Sequence, residues 1–184
     1  MAATPSNMLA LGTTAPDFEL FNPVVNKNQS LNELKSGIAT VIMFICNHCP
    51  YVIHINSTLV ELSNEYIKKG ISFIGINSND VVNYPQDSPE KMKLFALKEG
   101  YNFPYLFDET QDIAKAYHAA CTPDIYVFDK DLKLVYRGQF DNSRPNNGLP
   151  VTGSDLASAL DALIRGEKVN NEQTPSIGCN IKWK

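Results

Sequence analysis

Val41-Ile42-Met43-Phe44-Ile45-Cys46-Asn47-His48-Cys49-Pro50-Tyr51-Val52 is the stretch on which the reading of this chain turns. The unbroken apolar run 41–45, rich in β-branched residues, reads as a buried strand. Two cysteines two residues apart follow at once, then a proline and a helical pattern. That places a dithiol at a strand-to-helix turn. Free amide N–H groups and the positive end of the helix dipole favour thiolate there. Cys46 is therefore the expected nucleophile and Cys49 its resolving partner. Half of a structural zinc site and a pair of inert core cysteines are the competing readings. Zinc ordinarily takes a second Cys/His pair at similar spacing, and Cys121 and Cys179 stand apart from one another, so redox chemistry leads.

Downstream, Val52, Ile55, Leu59, Leu62 and Tyr66 recur at three and four residues, which predicts one helix from Pro50 to Lys69. Pro50 suits its first turn, where the missing N–H costs nothing, and Gly70 stops it. Residues 71–77 form a second apolar strand, so 38–77 is a β-α-β unit with a parallel pair. Further along come a helix at 90–98, a strand near 105–107, a short helix at 111–117, an antiparallel pair at 125–129 and 133–138, and a last helix carrying Leu156, Leu160, Leu163 and Ile164. Upstream, Ser30-Leu31-Asn32-Glu33 has the spacing of a capping box. Pro23 and the polar run 26–29 interrupt an extended segment near 18–20. Residues 1–8 read as a flexible tail and 167–184 as an irregular tail packed on a single domain, 9–184.

A hydrophobic content of 43% and a net charge of -4 describe a soluble globular chain. With 16 basic against 20 acidic residues and no basic run, nucleic acid is not an expected partner. No apolar run is long enough to span a bilayer and the first residues lack the pattern of a secretory signal, so the expectation is a cytoplasmic protein with no membrane partner. Four unevenly spaced cysteines do not make a disulfide scaffold.

The order of elements, Cys46-Asn47-His48-Cys49 and the later Thr122-Pro123 resemble the redoxin branch of the thioredoxin-like superfamily, the peroxiredoxin-like, AhpC/TSA-related proteins. Leu11-Gly12 to Phe18, Leu134 to Gly138 and Ser176 to Lys184 are similar to the same group. The resemblance implies a thioredoxin fold, a three-layer α/β/α sandwich with a central mixed sheet and an N-terminal extension. It implies a cis Thr122-Pro123 bond, and a loop that packs against the dithiol and offers backbone to an extended substrate. Thr122, Pro123, His48 and Tyr51 are accordingly the expected substrate-binding residues.

The implied chemistry is thiol-disulfide exchange by Cys46 and Cys49 on a protein or small-molecule disulfide, recycled by a thiol reductant, without cofactor or metal. Peroxide reduction at Cys49 is a secondary, antioxidant alternative. Peroxiredoxins carry Pro-x-x-x-Thr-x-x-Cys; here Ile42 and Cys46 stand in place of the proline and threonine, and Pro123 stands in place of the helper arginine. A third alternative is a carrier in which the cysteines and a histidine hold a soft ion. His48 either steadies the thiolate or is an exposed turn residue. Cys121 is a possible additional thiol or an inert buried one, and Cys179 reads as an unpaired terminal thiol unless its tail folds back to the site. His54 and His118 read as structural. The strand 38–45 carries no carboxylate to act as base, which leaves Asp80 and Asp124 as positional candidates.

Overall fold

Residues 3–184 are described by a computed structural model. In chain order they form β1 (Ala3–Pro5), β2 (Glu19–Asn22), β3 (Lys27–Ser30), α1 (Leu31–Leu34), β4 (Ala39–Phe44), α2 (Pro50–Lys68) and β5 (Ser72–Asn77). A 3-10 turn at Pro85–Asp87 leads to α3 (Pro89–Glu99), β6 (Tyr105–Phe107), α4 (Asp112–Ala116), β7 (Cys121–Thr122), β8 (Asp124–Asp129), β9 (Leu134–Arg137), α5 (Ser154–Ile164) and β10 (Ile177–Asn180).

Every residue of β4 is buried, because helices cover both faces of the sheet. Val41 and Met43 join a core with Leu59 of α2, Met92 of α3 and Leu160 of α5. Ile42 and Phe44, pointing the other way, join a second core with Leu31 of α1 and Ala114 of α4. The sheet between the layers runs β3-β2-β6-β5-β4-β8-β9. β4, β5 and β6 are parallel, while β8, β9, β2 and β3 join antiparallel, so the sheet is mixed as expected. This is the thioredoxin fold. The helical spacing read from the sequence is realised in α2, whose Val52, Ile55, Leu59, Leu62 and Tyr66 are all buried. Truncating Leu59 to alanine would cost about 2–5 kcal/mol.

Three segments differ from the sequence reading. The extended segment is interrupted by a turn over 23–26 as expected, but Lys27 to Ser30 then pair back on β2 as β3, and Ser30 and Glu33 make the predicted capping box. The stretch 3–5, expected within a loose tail, is a strand, with Met1 and Ala2 outside the described residues. The tail 167–184 is irregular only in part. Its β10 lies between β1 and β7 in a separate three-stranded sheet, which brings both ends of the chain onto the Thr122-Pro123 loop. Backbone hydrogen bonds unsatisfied in an isolated tail are satisfied by this pairing. Among the described residues no helix is long and apolar enough to cross a membrane.

Candidate active site

The parallel pair β4 and β5 ends on one edge of the sheet, and the loops that follow emerge side by side. The loop after β4 carries Cys46 to Cys49, and the loop after β5 carries Asp87. The Thr122-Pro123 bond, which is cis, comes from the start of the neighbouring β8. Three short segments thus converge on the two sulfurs. The thiol of Cys49 reaches the Thr122 carbonyl oxygen at 3.0 Å, and Cys46 Sγ lies 3.5 Å from the Thr122 hydroxyl. The predicted dithiol and its facing loop are therefore together.

Electrostatics make Cys49 the more acidic of the two thiols. The helix begins at Pro50, so its cap is Cys49 and not Cys46. The neighbouring Cys46 thiol, then the Thr122 and Cys179 side chains and the Val52 amide, favour a thiolate at Cys49. Together these outweigh its burial and bring its pKa down to about 5. The Thr122 carbonyl, which accepts from the Cys49 thiol at 3.0 Å, opposes them by favouring the protonated form. Cys46 is pushed well above the usual thiol range, first by the neighbouring Cys49, then by burial and by the Asp87 carboxylate. The two sulfurs titrate together, with Cys49 the more acidic of the pair.

Asp87 is the functional residue that the sequence reading missed. It is fully buried and accepts the Asn47 backbone N–H at 2.9 Å and the Asn79 side-chain amide at 2.8 Å. Asn47 in turn donates to the Gln86 carbonyl at 2.8 Å and accepts from the Tyr105 hydroxyl at 3.0 Å. The signal that could have found Asp87 is its place in the loop following the strand parallel to β4. Neither Asp80 nor Asp124 hydrogen-bonds to Cys46 or Cys49. Asp80 is occupied by Val82 and Asn83 in its own turn. Asp124 is surrounded by Ser6, Ala120, Tyr126 and Arg137, and burial raises its pKa.

His48 Nδ1 approaches Asp87 Oδ2 to 2.7 Å, but without the alignment of a hydrogen bond, and the ring stacks on Tyr84 at 5.8 Å. Its side chain is 19% exposed, so it is a partly covered neighbour of the dithiol and not a free turn residue. One donor atom each from Cys46, His48 and Asp87 lies within 4.8 Å of the others, a set that could hold a borderline ion. An ion there would have to displace both the Cys46 proton and the Asn79 amide.

Tyr51 and Pro123 line a shallow cleft together with His54, Ser143, Arg144 and Ile177. Thr122 is placed differently from expectation. Its strand edge is already paired, with Cys179 of β10 opposite it, so its backbone is not free for an extended substrate. Cys179 is consequently no isolated thiol, since it packs in the same core as Cys46 and Cys49. Cys121 is buried, and its thiol is directed to the Pro123 carbonyl at 3.5 Å. His54 bonds Ser143 at 2.8 Å and the His118 carbonyl accepts from Arg137, so both histidine positions are structural. All four cysteines are free thiols, and neither Cys46 at 1% exposure nor Cys49 at 0% meets solvent directly.

Comparison with known proteins agrees with this geometry. An uncharacterized conserved protein from Geobacillus kaustophilus is 60% identical, with a TM-score of 0.99 over 100% of this chain and 97% of that one. A hypothetical protein from Sinorhizobium meliloti 1021 is 45% identical, with a TM-score of 0.96 over 98% of each chain. The thiol-disulfide oxidoreductase ResA of Geobacillus kaustophilus is 27% identical over 137 residues, 73% of this chain and 74% of its own length. The model of the AhpC/TSA family matches residues 11–137, a span that holds β2 through β9, the dithiol and the cis-proline loop. With that match and this fold, the chain belongs to the AhpC/TSA family.

Proposed function

We propose that the protein is a thiol-disulfide oxidoreductase whose Cys46/Cys49 pair exchanges with a substrate disulfide. The observation that carries this reading is the Cys46/Cys49 dithiol held against Thr122, at 3.5 Å from its hydroxyl and 3.0 Å from its carbonyl, beside a cis proline. The name of the ResA relative supports it.

The arrangement supplies its own base. As a substrate sulfur meets Cys46, the Cys46 proton passes to the Cys49 thiolate and Cys46 attacks, forming a mixed disulfide and releasing one substrate thiolate. That thiolate takes the proton back from Cys49, and Cys49 attacks the Cys46 sulfur. The products are the Cys46–Cys49 disulfide, one substrate thiol and one substrate thiolate, so charge and protons balance. A thiol reductant of small-molecule or protein origin returns the pair to the dithiol. Because both sulfurs are covered, reaction requires the site to open locally, and the cleft beside Tyr51 and Pro123 is the adjoining approach.

Insulin reduction in the presence of dithiothreitol tests the proposal. Wild type is expected to accelerate it and Cys46→Ser to lose the acceleration. Equal rates for the two proteins would reject it.

A further inference from the structure

β10 occupies the position that the fold offers to a substrate strand. It pairs antiparallel with Cys121–Thr122 at the edge next to the cis proline, and its register sets Cys179 opposite Thr122. The same Thr122 holds Cys49 through its carbonyl and Cys46 through its hydroxyl. Three sulfurs therefore surround one residue. We propose that Cys179 is a third redox-active thiol, which attacks the Cys49 sulfur of the Cys46–Cys49 disulfide and moves the bond to Cys49–Cys179.

The strand is built for this approach. A Cβ added at Gly178 would fall 2.0 Å from the Thr122 carbonyl oxygen, so only glycine lets β10 lie this close. The segment is pinned on both sides of Cys179. The Ser6 amide donates to the Ser176 carbonyl at 2.8 Å, the Ser176 hydroxyl donates to the Gly138 carbonyl at 2.7 Å, and the Lys182 amide donates to Asn79 at 2.9 Å. Cys179 is itself buried at 2% exposure in the same core as Cys46 and Cys49, whereas the Cys121 thiol is directed to a backbone carbonyl. In the reduced protein Cys179 is pushed up to about 12 by burial, by the neighbouring Cys49 and by the charge there. Oxidation of Cys49 removes that charge and frees the Cys179 proton. In the exchange the Cys179–Cys49 bond forms, the Cys49–Cys46 bond breaks, and the Cys179 proton ends on the Cys46 thiolate. No net oxidation occurs, so no further oxidant is needed beyond the substrate disulfide.

The inference rests on the exchange chemistry proposed above, and one experiment separates their fates. Tryptic cleavage leaves Cys46 and Cys49 together in peptide 36–68, Cys121 in 116–130 and Cys179 in 169–182. Wild type, Cys46→Ser and Cys179→Ser are oxidised with diamide, alkylated in acid and mapped by mass spectrometry without reduction. The expected result is a disulfide linking 36–68 to 169–182 in wild type, beside the internal disulfide of 36–68. Cys46→Ser should give only the linked form and Cys179→Ser only the internal one. An internal disulfide in wild type with no link to 169–182, or with a link to 116–130 instead, overturns the role of Cys179 and leaves the Cys46/Cys49 chemistry standing. No disulfide in wild type overturns both.

Discussion

The Asp87 carboxylate accepts the Asn47 backbone N–H at 2.9 Å, which ties the loop after β5 to the dithiol turn after β4. Its charge helps keep the proton on Cys46. Asp87→Asn keeps a carbonyl oxygen for the Asn47 amide but removes the charge, so the pKa of Cys46 should fall. The pH profile of Cys46 alkylation in a Cys49→Ser background reads this directly. Asp87→Ala should in addition cost about 1–3 kcal/mol for each of the two buried donors it strands, measured by urea unfolding.

The Cys49 thiolate sets a pH dependence of definite sign. A group whose folded pKa is depressed adds stability that is complete above its unfolded pKa and lost as pH falls through the folded value. Between roughly pH 9 and 5 the unfolded chain binds the proton that folded Cys49 does not. The stability of reduced wild type relative to Cys49→Ala should therefore decline on acidification across that window, at no more than about 1.4 kcal/mol per pH unit. Thiolate absorbance should disappear with a midpoint near 5 in wild type and be absent at neutral pH in Cys49→Ala.

Burial of both sulfurs predicts guarded reactivity. At pH 7 the folded, reduced protein should alkylate with iodoacetamide at least about tenfold more slowly than a free thiolate of the same pKa, because labelling waits on local opening. Labelling at the full free-thiolate rate would show the cover to be open in solution.

Gly178→Ala tests the closeness of β10. The added methyl meets backbone and not the end of a flexible side chain, so the strand must move away from Thr122. The expected cost is about 1–3 kcal/mol in urea unfolding.

Peroxide should be a poor substrate. Arg137, the one fully buried arginine, is directed to Asp124 and the His118 carbonyl and stacks on Tyr126 at 4.6 Å. Engaged by those partners, it offers no cationic cradle to an O–O bond at Cys49. Hydrogen peroxide consumption by the reduced protein should stay at the rate of an unassisted thiolate.

The fold was legible in the sequence where the signal is local. The apolar run of β4, the periodic face of α2 and the glycine after it describe the β-α-β unit without help from the rest of the chain. β1, β7 and β10 were not legible, because strands of two to four residues carry no alternation and these pair across the full length of the chain. The reading of Cys179 as an unpaired thiol follows from that same gap. The site was legible as far as its cysteines and cis proline. The order of their pKa values was not, since it depends on where α2 starts and on Asp87, which reaches the dithiol only through packing.

The central claim is that Cys46 and Cys49 act as one exchanging pair, and a free-thiol count after reaction with a disulfide tests it most directly. Reduced Cys179→Ser, carrying three cysteines, is mixed with excess oxidised glutathione and quenched in acid. Two thiols should be lost together, with an internal disulfide in peptide 36–68. Adding Cys49→Ser to the same protein should leave a glutathione adduct trapped on Cys46. Retention of all three thiols under conditions where the protein stays folded would contradict it.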